Sequence, residues 1–118
     1  MAAQKTEFTK IIYAKPEIAF EEHFAHNLLT DYLEKKRFKV TRKSYGLNTA
    51  FRAEYESEVT GGRTVSFNSE YDALPGLGHG CGHNLIAISG VAAAYGVMNA
   101  PKALSIPGKV VLFGTPAE

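Results

Sequence analysis

A cysteine and a histidine lie two positions apart in a glycine-rich stretch and could bind the same metal ion. Cys81 is the chain's single cysteine, and Gly82 separates it from His83. In an extended segment alternate side chains leave on the same side, so both donors can face one point. Thiolate and imidazole suit zinc, although zinc takes more than two donors. The spacing therefore predicts part of a metal site; the alternative is a small buried cysteine beside an incidental loop histidine.

Two acids close to this pair could orient the histidine. Glu70 and Asp72 flank Tyr71 at the end of a predicted strand, so their side chains should share one face. A carboxylate that accepts a hydrogen bond from a ligand histidine fixes which ring nitrogen binds the metal. We assign this role to Asp72, although an aspartate there could also cap the following turn. For Glu70 the same role and a solvated strand end are equally good interpretations.

The other histidines and the last residue of the chain give weaker signals. His79 could line a pocket, but an ordinary loop histidine is the preferred interpretation. His23 and His26 lie three residues apart on a predicted helix without an acid partner, so solvent exposure is expected. Glu118 follows a buried strand, where a carboxylate could take a proton from metal-bound water. Its spacing alone favours an ordinary chain end.

The hydrophobic pattern predicts the elements that must position these residues. An apolar stripe with acids near its start and basic residues near its end predicts a helix over about 18–37. Alternating residues predict three strands, near 39–45, 49–56 and 63–71. The Gly61-Gly62 turn favours hairpin pairing of the second and third strands. Residues 73–82, which include four glycines, are predicted as a loop.

The last third of the chain has the order of an α/β crossover unit. Asn84 is expected to cap a helix of small residues, residues 100–108 to form a connection, and a fully buried strand to begin at about Lys109. Strand, loop, helix and strand in this order indicate an α/β fold. Ligands of open α/β sheets bind beyond the carboxyl ends of the strands, which is where Glu118 is expected.

The composition of the chain limits which binding partners and which cellular location can be expected. The chain has 13 basic and 12 acidic residues and a formal net charge of +1, which gives no support for nucleic acid or an anionic membrane as a partner. The single cysteine excludes an internal disulfide and fits a reducing compartment. The start of the chain lacks the apolar run of a secretory signal, and the longest apolar stretch is too short to span a bilayer. We therefore expect a cytoplasmic protein.

Three stretches resemble one enzyme family. "SEYDALPGLGHGCGHNLIA", "KPEIAFEEHFAHNLLTDYLEKKRF" and "VVLFGTPAE" are similar to segments of metallopeptidase family twenty. This family includes carboxypeptidase G, the aminoacylases and the amidohydrolases that cleave auxin–amino acid conjugates. The Cys-Gly-His loop is the most specific part of the resemblance. Asn84, where many relatives have aspartate, makes the chain most similar to dipeptidase-type members that hydrolyse β-alanyl-lysine-like dipeptides.

The resemblance implies a metal-dependent hydrolase that cleaves a dipeptide or an N-acyl amino acid. It implies a pair of divalent ions, usually zinc or manganese, with Cys81 and His83 as ligands. Asp72 matches the acid that supports the site, and Glu118 matches the general base that activates water. Glu70 stands where other branches of the family have a ligand histidine. The implied fold is a three-layer α/β sandwich, a mixed sheet flanked by helices, of which residues 1–118 are the N-terminal part of the catalytic domain.

The chain also departs from the family's pattern. The family has a second glutamate directly after the position of Glu118, and the sequence lacks it. The later metal ligands are absent too, as is the dimerisation domain of this usually homodimeric family. We therefore expect the N-terminal part of such an enzyme. One alternative is a truncated, inactive paralogue that acts as a binding module through an open sheet edge. A further alternative is that Cys81, near a helix start, is a redox-sensing thiol.

Overall fold

A computed structural model describes residues 2–57, 61–104 and 107–116 of the chain. In chain order the elements are α1 (Ala2–Ala14), α2 (His23–Lys35), β1 (Lys39–Arg42), a 3₁₀ turn (Ser44–Gly46), β2 (Phe51–Glu56), β3 (Thr64–Glu70), α3 (His83–Leu104) and β4 (Lys109–Thr115). They form one mixed sheet with helices packed against it, which confirms the predicted α/β fold class. Within these ranges, no helix has the length and apolar character needed to cross a membrane.

The sheet has the strand order β1-β2-β4-β3. β2 is antiparallel to β1 and to β4, whereas β3 is parallel to β4. The predicted hairpin between β2 and β3 is therefore wrong, because β4 lies between them. The physical reason is burial: Val110, Val111 and Leu112 of β4 are each at most 3% exposed, whereas Val65 of β3 is 43% exposed. The most apolar strand takes a central position, and the crossover through α3 brings it there.

The helices α2 and α3 pack on one face of this sheet. Leu29 of α2 and Val91 of α3 belong to the same buried cluster as Leu112 of β4. Small residues let α3 come close to β3, since a Cβ at Gly90 would lie only 2.3 Å from Ser69 Oγ. This close packing sets the position of α3 against the strand that precedes it.

The first two helices differ from the prediction. α2 begins at His23 rather than near residue 18, and Phe20 has a left-handed φ of 66°. Glu17 caps α2 from outside, because its carboxylate accepts hydrogen bonds from the backbone N–H groups of Phe24 and Ala25, each at 2.9 Å. α1, for which no element was predicted, spans Ala2–Ala14 and packs on α3.

The start of α3 and the end of β1 also differ from the prediction. α3 spans His83–Leu104 and includes residues that were expected to form a connection. Asn84 is therefore inside the helix and does not cap it; its side-chain amide donates to the Thr9 carbonyl of α1 at 3.5 Å. β1 ends at Arg42, because the left-handed backbone of Lys43 turns the chain out of the strand.

Candidate metal centre

The candidate site forms where the end of β3 meets the start of α3. β3 ends at Glu70, and His83 is the first residue of α3. Ser69 Oγ donates to the Ala87 carbonyl at 2.9 Å, which holds the first turns of α3 against β3. Gly82 has a φ of +78°, a conformation that favours glycine, and turns the loop into the helix. The site therefore lies beyond the carboxyl end of a parallel strand, where open α/β sheets bind ligands.

His83 lies between two carboxylates. Its Nδ1 is 2.9 Å from Asp72 Oδ1 and 3.1 Å from the Asp72 carbonyl oxygen, and its Nε2 is 3.2 Å from Glu70 Oε2. His83 is 7% exposed, so these contacts are largely shielded from water. The structure thus brings both acids to one imidazole, as their positions on either side of Tyr71 predict.

The charges around His83 oppose the effect of its burial. Burial lowers the pKa of His83, because it disfavours the charged imidazolium. The hydrogen bond to Asp72 and the negative charges of Asp72 and Glu70 outweigh burial and raise the pKa above its ordinary value of 6.5. With Nδ1 donating its proton to Asp72, Nε2 is the ring nitrogen that can bind a metal ion.

Cys81 is exposed in the loop that precedes α3. The expected extended backbone is not present at Gly82, so side-chain alternation does not apply here, and His83 is buried while Cys81 is exposed. Thiolate, imidazole and carboxylate are donors that zinc accepts, so the chemistry of the residues fits a metal centre. In the part of the chain that the structure describes, no three such side chains are arranged around one point. The ligand roles of Cys81 and His83 stay predictions.

His79 is buried beside the site. It is 7% exposed, and neither ring nitrogen has a hydrogen-bond partner of ordinary geometry among the described residues. Burial and then the charge of His83 lower the pKa of His79, while the nearby backbone of Ile12 in α1 opposes them. An ordinary loop histidine was the expectation, and no local sequence signal indicated this burial, since it depends on α1.

His26 is also buried, so its expected solvent exposure is wrong. It is 5% exposed and its ring contacts Phe51 edge-on, with centroids 6.0 Å apart. His26 lies three and seven residues before Leu29 and Leu33, and this helical spacing places it on the buried face of α2. His23, by contrast, is exposed as predicted.

Glu118 lies outside the described residues, so its role as the general base stays a prediction. β4 ends at Thr115, and the register partner of Thr115 in β3 is Glu70. The carboxyl end of β4 therefore lies beside Glu70, one of the two acids that contact His83.

Sequence reasoning missed a buried polar chain behind the site. Tyr71 donates a hydrogen bond to the Thr49 carbonyl, and Thr49 Oγ1 donates to Glu22 Oε1 at 2.9 Å. All three residues are at most 1% exposed. Burial raises the pKa of Tyr71, and the charges of Glu22 and Asp72 raise it further. The signal that could have found this chain is the position of Tyr71 between two acids, since it must face away from them.

Comparison with known proteins points to one family. No family model matches the chain. It is 46% identical to human Xaa-Arg dipeptidase over 93% of its own length and 28% of the human protein. It is 32% identical to a subunit of the p-aminobenzoyl-glutamate hydrolase of Escherichia coli (strain K12), over 96% of its length and 26% of that protein. A dinuclear metal-binding peptidase of the M20 family from Bacillus subtilis superposes with a TM-score of 0.85 at 21% identity, over 98% of this chain and 35% of that one.

These matches cover nearly all of this chain but only part of each relative. The chain spans 28% of the human protein and 26% of the bacterial hydrolase, about a quarter of the length of the curated relatives it matches. These matches support the resemblance to metallopeptidase family twenty, with the chain corresponding to only part of a dipeptidase-type relative.

Proposed function

We propose that residues 1–118 are the N-terminal part of the catalytic domain of a metal-dependent amidohydrolase that cleaves the amide bond of a dipeptide or an N-acyl amino acid. The names of the relatives support this substrate class, since they describe an Xaa-Arg dipeptidase and a hydrolase of p-aminobenzoyl-glutamate. The Bacillus subtilis protein is a dinuclear metal-binding peptidase, which supports a pair of metal ions; our proposal for their identity is zinc or manganese. The single cysteine favours a cytoplasmic location.

The observation that carries the proposal is the position of His83 between Asp72 and Glu70. Ligand histidines commonly donate their other ring N–H to a carboxylate, which fixes the tautomer and the ring orientation. The 2.9 Å contact from Nδ1 to Asp72 Oδ1 has this form. A second carboxylate, that of Glu70, faces Nε2 at 3.2 Å, so the ring nitrogen that Asp72 leaves available points to a further oxygen donor.

Each residue has a distinct task in this proposal. Cys81 and His83 would hold the ion, which when bound supplies Lewis-acid activation of water and of the substrate carbonyl. Asp72 holds the proton on Nδ1 of His83 and thereby orients the ring. Glu70 lies close enough to Nε2 to share the same ion. Glu118 would accept the proton that the attacking water gives up.

Cobalt titration of the purified chain tests the metal centre. A bound thiolate gives Co²⁺ a charge-transfer absorption, so the wild-type chain should show this band on titration, and Cys81→Ser should lose it. His83→Ala should weaken binding as well. His23→Ala is the matched control, because it removes a histidine that is exposed and lies on another element. No band in the wild type, or an unchanged band in Cys81→Ser, would refute the metal-ligand roles of Cys81 and His83 in this chain and favour a non-catalytic binding module.

Hydrolysis assays test the substrate class. The chain is incubated with Zn²⁺ or Mn²⁺ and with dipeptides that end in arginine, β-alanyl-lysine or p-aminobenzoyl-glutamate. Turnover that Cys81→Ser abolishes would assign the activity to this site. Turnover that survives Cys81→Ser would place the activity elsewhere.

A further inference from the structure

A short segment before α2 fixes the backbone of Ala73, the residue that follows Asp72. The Glu17 carbonyl oxygen accepts a hydrogen bond from the Ala73 backbone N–H at 2.7 Å, and Ile18 forms a parallel bridge with Ala73. Ala73 directly follows Asp72, so this contact fixes the chain on one side of the acid that contacts His83. We call residues 16–22 the anchoring segment.

The same segment also fixes Tyr71, the residue before Asp72, through a series of buried hydrogen bonds. Glu22, the last residue of the anchoring segment, is 0% exposed and accepts a hydrogen bond from Thr49 Oγ1. The Thr49 carbonyl accepts one from Tyr71, whose ring stacks on Phe51 with centroids 6.1 Å apart. Tyr71 directly precedes Asp72, so the chain is fixed on this side as well.

These two anchors decide where Asp72 points. Successive side chains of an extended backbone face opposite sides, so a chain held at Tyr71 and at Ala73 must direct Asp72 away from the buried side. The anchoring segment is itself tied to α2, because the Glu17 carboxylate accepts two charge-assisted hydrogen bonds from the first turn of that helix.

We propose that the anchoring segment is a positioning element for the candidate site, in which Glu17 and Glu22, acting through Ala73 and Tyr71, keep Asp72 in hydrogen-bond contact with His83. This inference rests on the proposed function, since the Asp72–His83 pair is the centre of the proposed site. It gives the "PEIAFEE" stretch a task that neither its composition nor its helical pattern indicates.

Nuclear magnetic resonance of the whole chain tests this role with Glu17→Gln. Two signals are measured at one fixed pH: the ring ¹⁵N shifts of His83, which report its hydrogen bond, and the exchange rate of the Ala73 amide. We expect the Ala73 amide to exchange about tenfold faster or more, and the His83 shifts to move towards those of Asp72→Asn. Glu21→Gln is the matched control, the same substitution in the same segment on a carboxylate that is 66% exposed, and it should change neither signal.

The Ala53 amide in β2 separates positioning from general stability. If Ala73 and Ala53 exchange faster by the same factor while the His83 shifts stay at their wild-type values, Glu17 only stabilises the fold and the inference is wrong. If Glu17→Gln does not fold, Glu17→Asp is measured instead. It must show the same two changes, because the aspartate side chain is one methylene shorter and its carboxylate cannot reach the first turn of α2 in the same way. These measurements need no metal, so the positioning of Asp72 against His83 is tested separately from the binding of Co²⁺, and the failure of one can be told from the failure of the other.

Discussion

Two glycines of α3 predict opposite effects for the same substitution. A Cβ at Gly90 would lie 2.3 Å from Ser69 Oγ and 2.9 Å from the Asn68 carbonyl oxygen, whereas a Cβ at Gly96 meets no atom of the described chain within 4 Å. Gly90→Ala therefore tests how closely α3 packs on β3. Gly96→Ala is its matched control, because it reports the helix preference of alanine alone.

The two effects differ in sign because only one site is crowded. Alanine is favoured over glycine in a helix by about 0.8–1 kcal/mol, so Gly96→Ala should raise the free energy of unfolding by about 0.5–1 kcal/mol. Gly90→Ala gains the same preference, but an extra methyl in a packed core costs about 1–3 kcal/mol. Turning Ser69 away would also lose its hydrogen bond to Ala87, worth about 1 kcal/mol. The net expectation for Gly90→Ala is a loss of about 1–3 kcal/mol.

Urea unfolding followed by circular dichroism measures this difference. The two variants should differ by about 2–4 kcal/mol, which at a slope of about 1–3 kcal/mol per molar urea separates their midpoints by roughly 0.7 M or more. If Gly90→Ala unfolds at or above the wild-type midpoint, α3 does not lie this close to β3. The placement of His83 at the start of α3 would then be wrong as well.

Three further predictions concern burial, packing and the metal centre. Burial lowers the pKa of His26 from 6.5, so the folded chain binds fewer protons than the unfolded chain, and the free energy of unfolding should fall as the pH drops below about 6.5. Urea midpoints on either side of that pH should show the fall in the wild type and in His23→Gln, but a smaller fall in His26→Gln. Gly114→Ala should lower the free energy of unfolding by about 2–3 kcal/mol and with it the thermal midpoint, because its Cβ would lie 2.1 Å from the Phe51 ring. An unchanged thermal midpoint would contradict this contact. Asp72→Asn should weaken metal binding about 10–100-fold in calorimetry, and equal affinity would show that Asp72 does not orient His83.

The parts of the fold that the sequence predicts are those set by local periodicity. The apolar spacing of Leu29 and Leu33 locates α2 and its buried face, although the cap from Glu17 decides where the helix begins. The alternation around Tyr71 predicts that Glu70 and Asp72 share a face, and both reach His83. These inferences hold because neighbours a few residues apart determine them.

The parts that the sequence does not predict depend on distant segments. Nothing in residues 49–71 indicates that β4 separates β2 from β3, since the pairing depends on the relative burial of strands far apart in the chain. The burial of His79 depends on α1 for the same reason. At Gly82 a single left-handed residue, allowed by the missing Cβ, changes how Cys81 and His83 are presented, and periodicity assumes no such turn.

The position of β4 has a consequence for synthesis of the chain on the ribosome. A nascent chain that has emerged only through α3 contains β3 without the strand that pairs with it, because the ladder partners of β3 among the described residues lie in β4. Until residues 109–115 emerge, the unpaired N–H and C=O groups of β3 are open to chaperones and to other nascent chains. Sheet closure is thus a late, long-range event, and a ribosome stalled before residue 109 should hold a protease-sensitive chain.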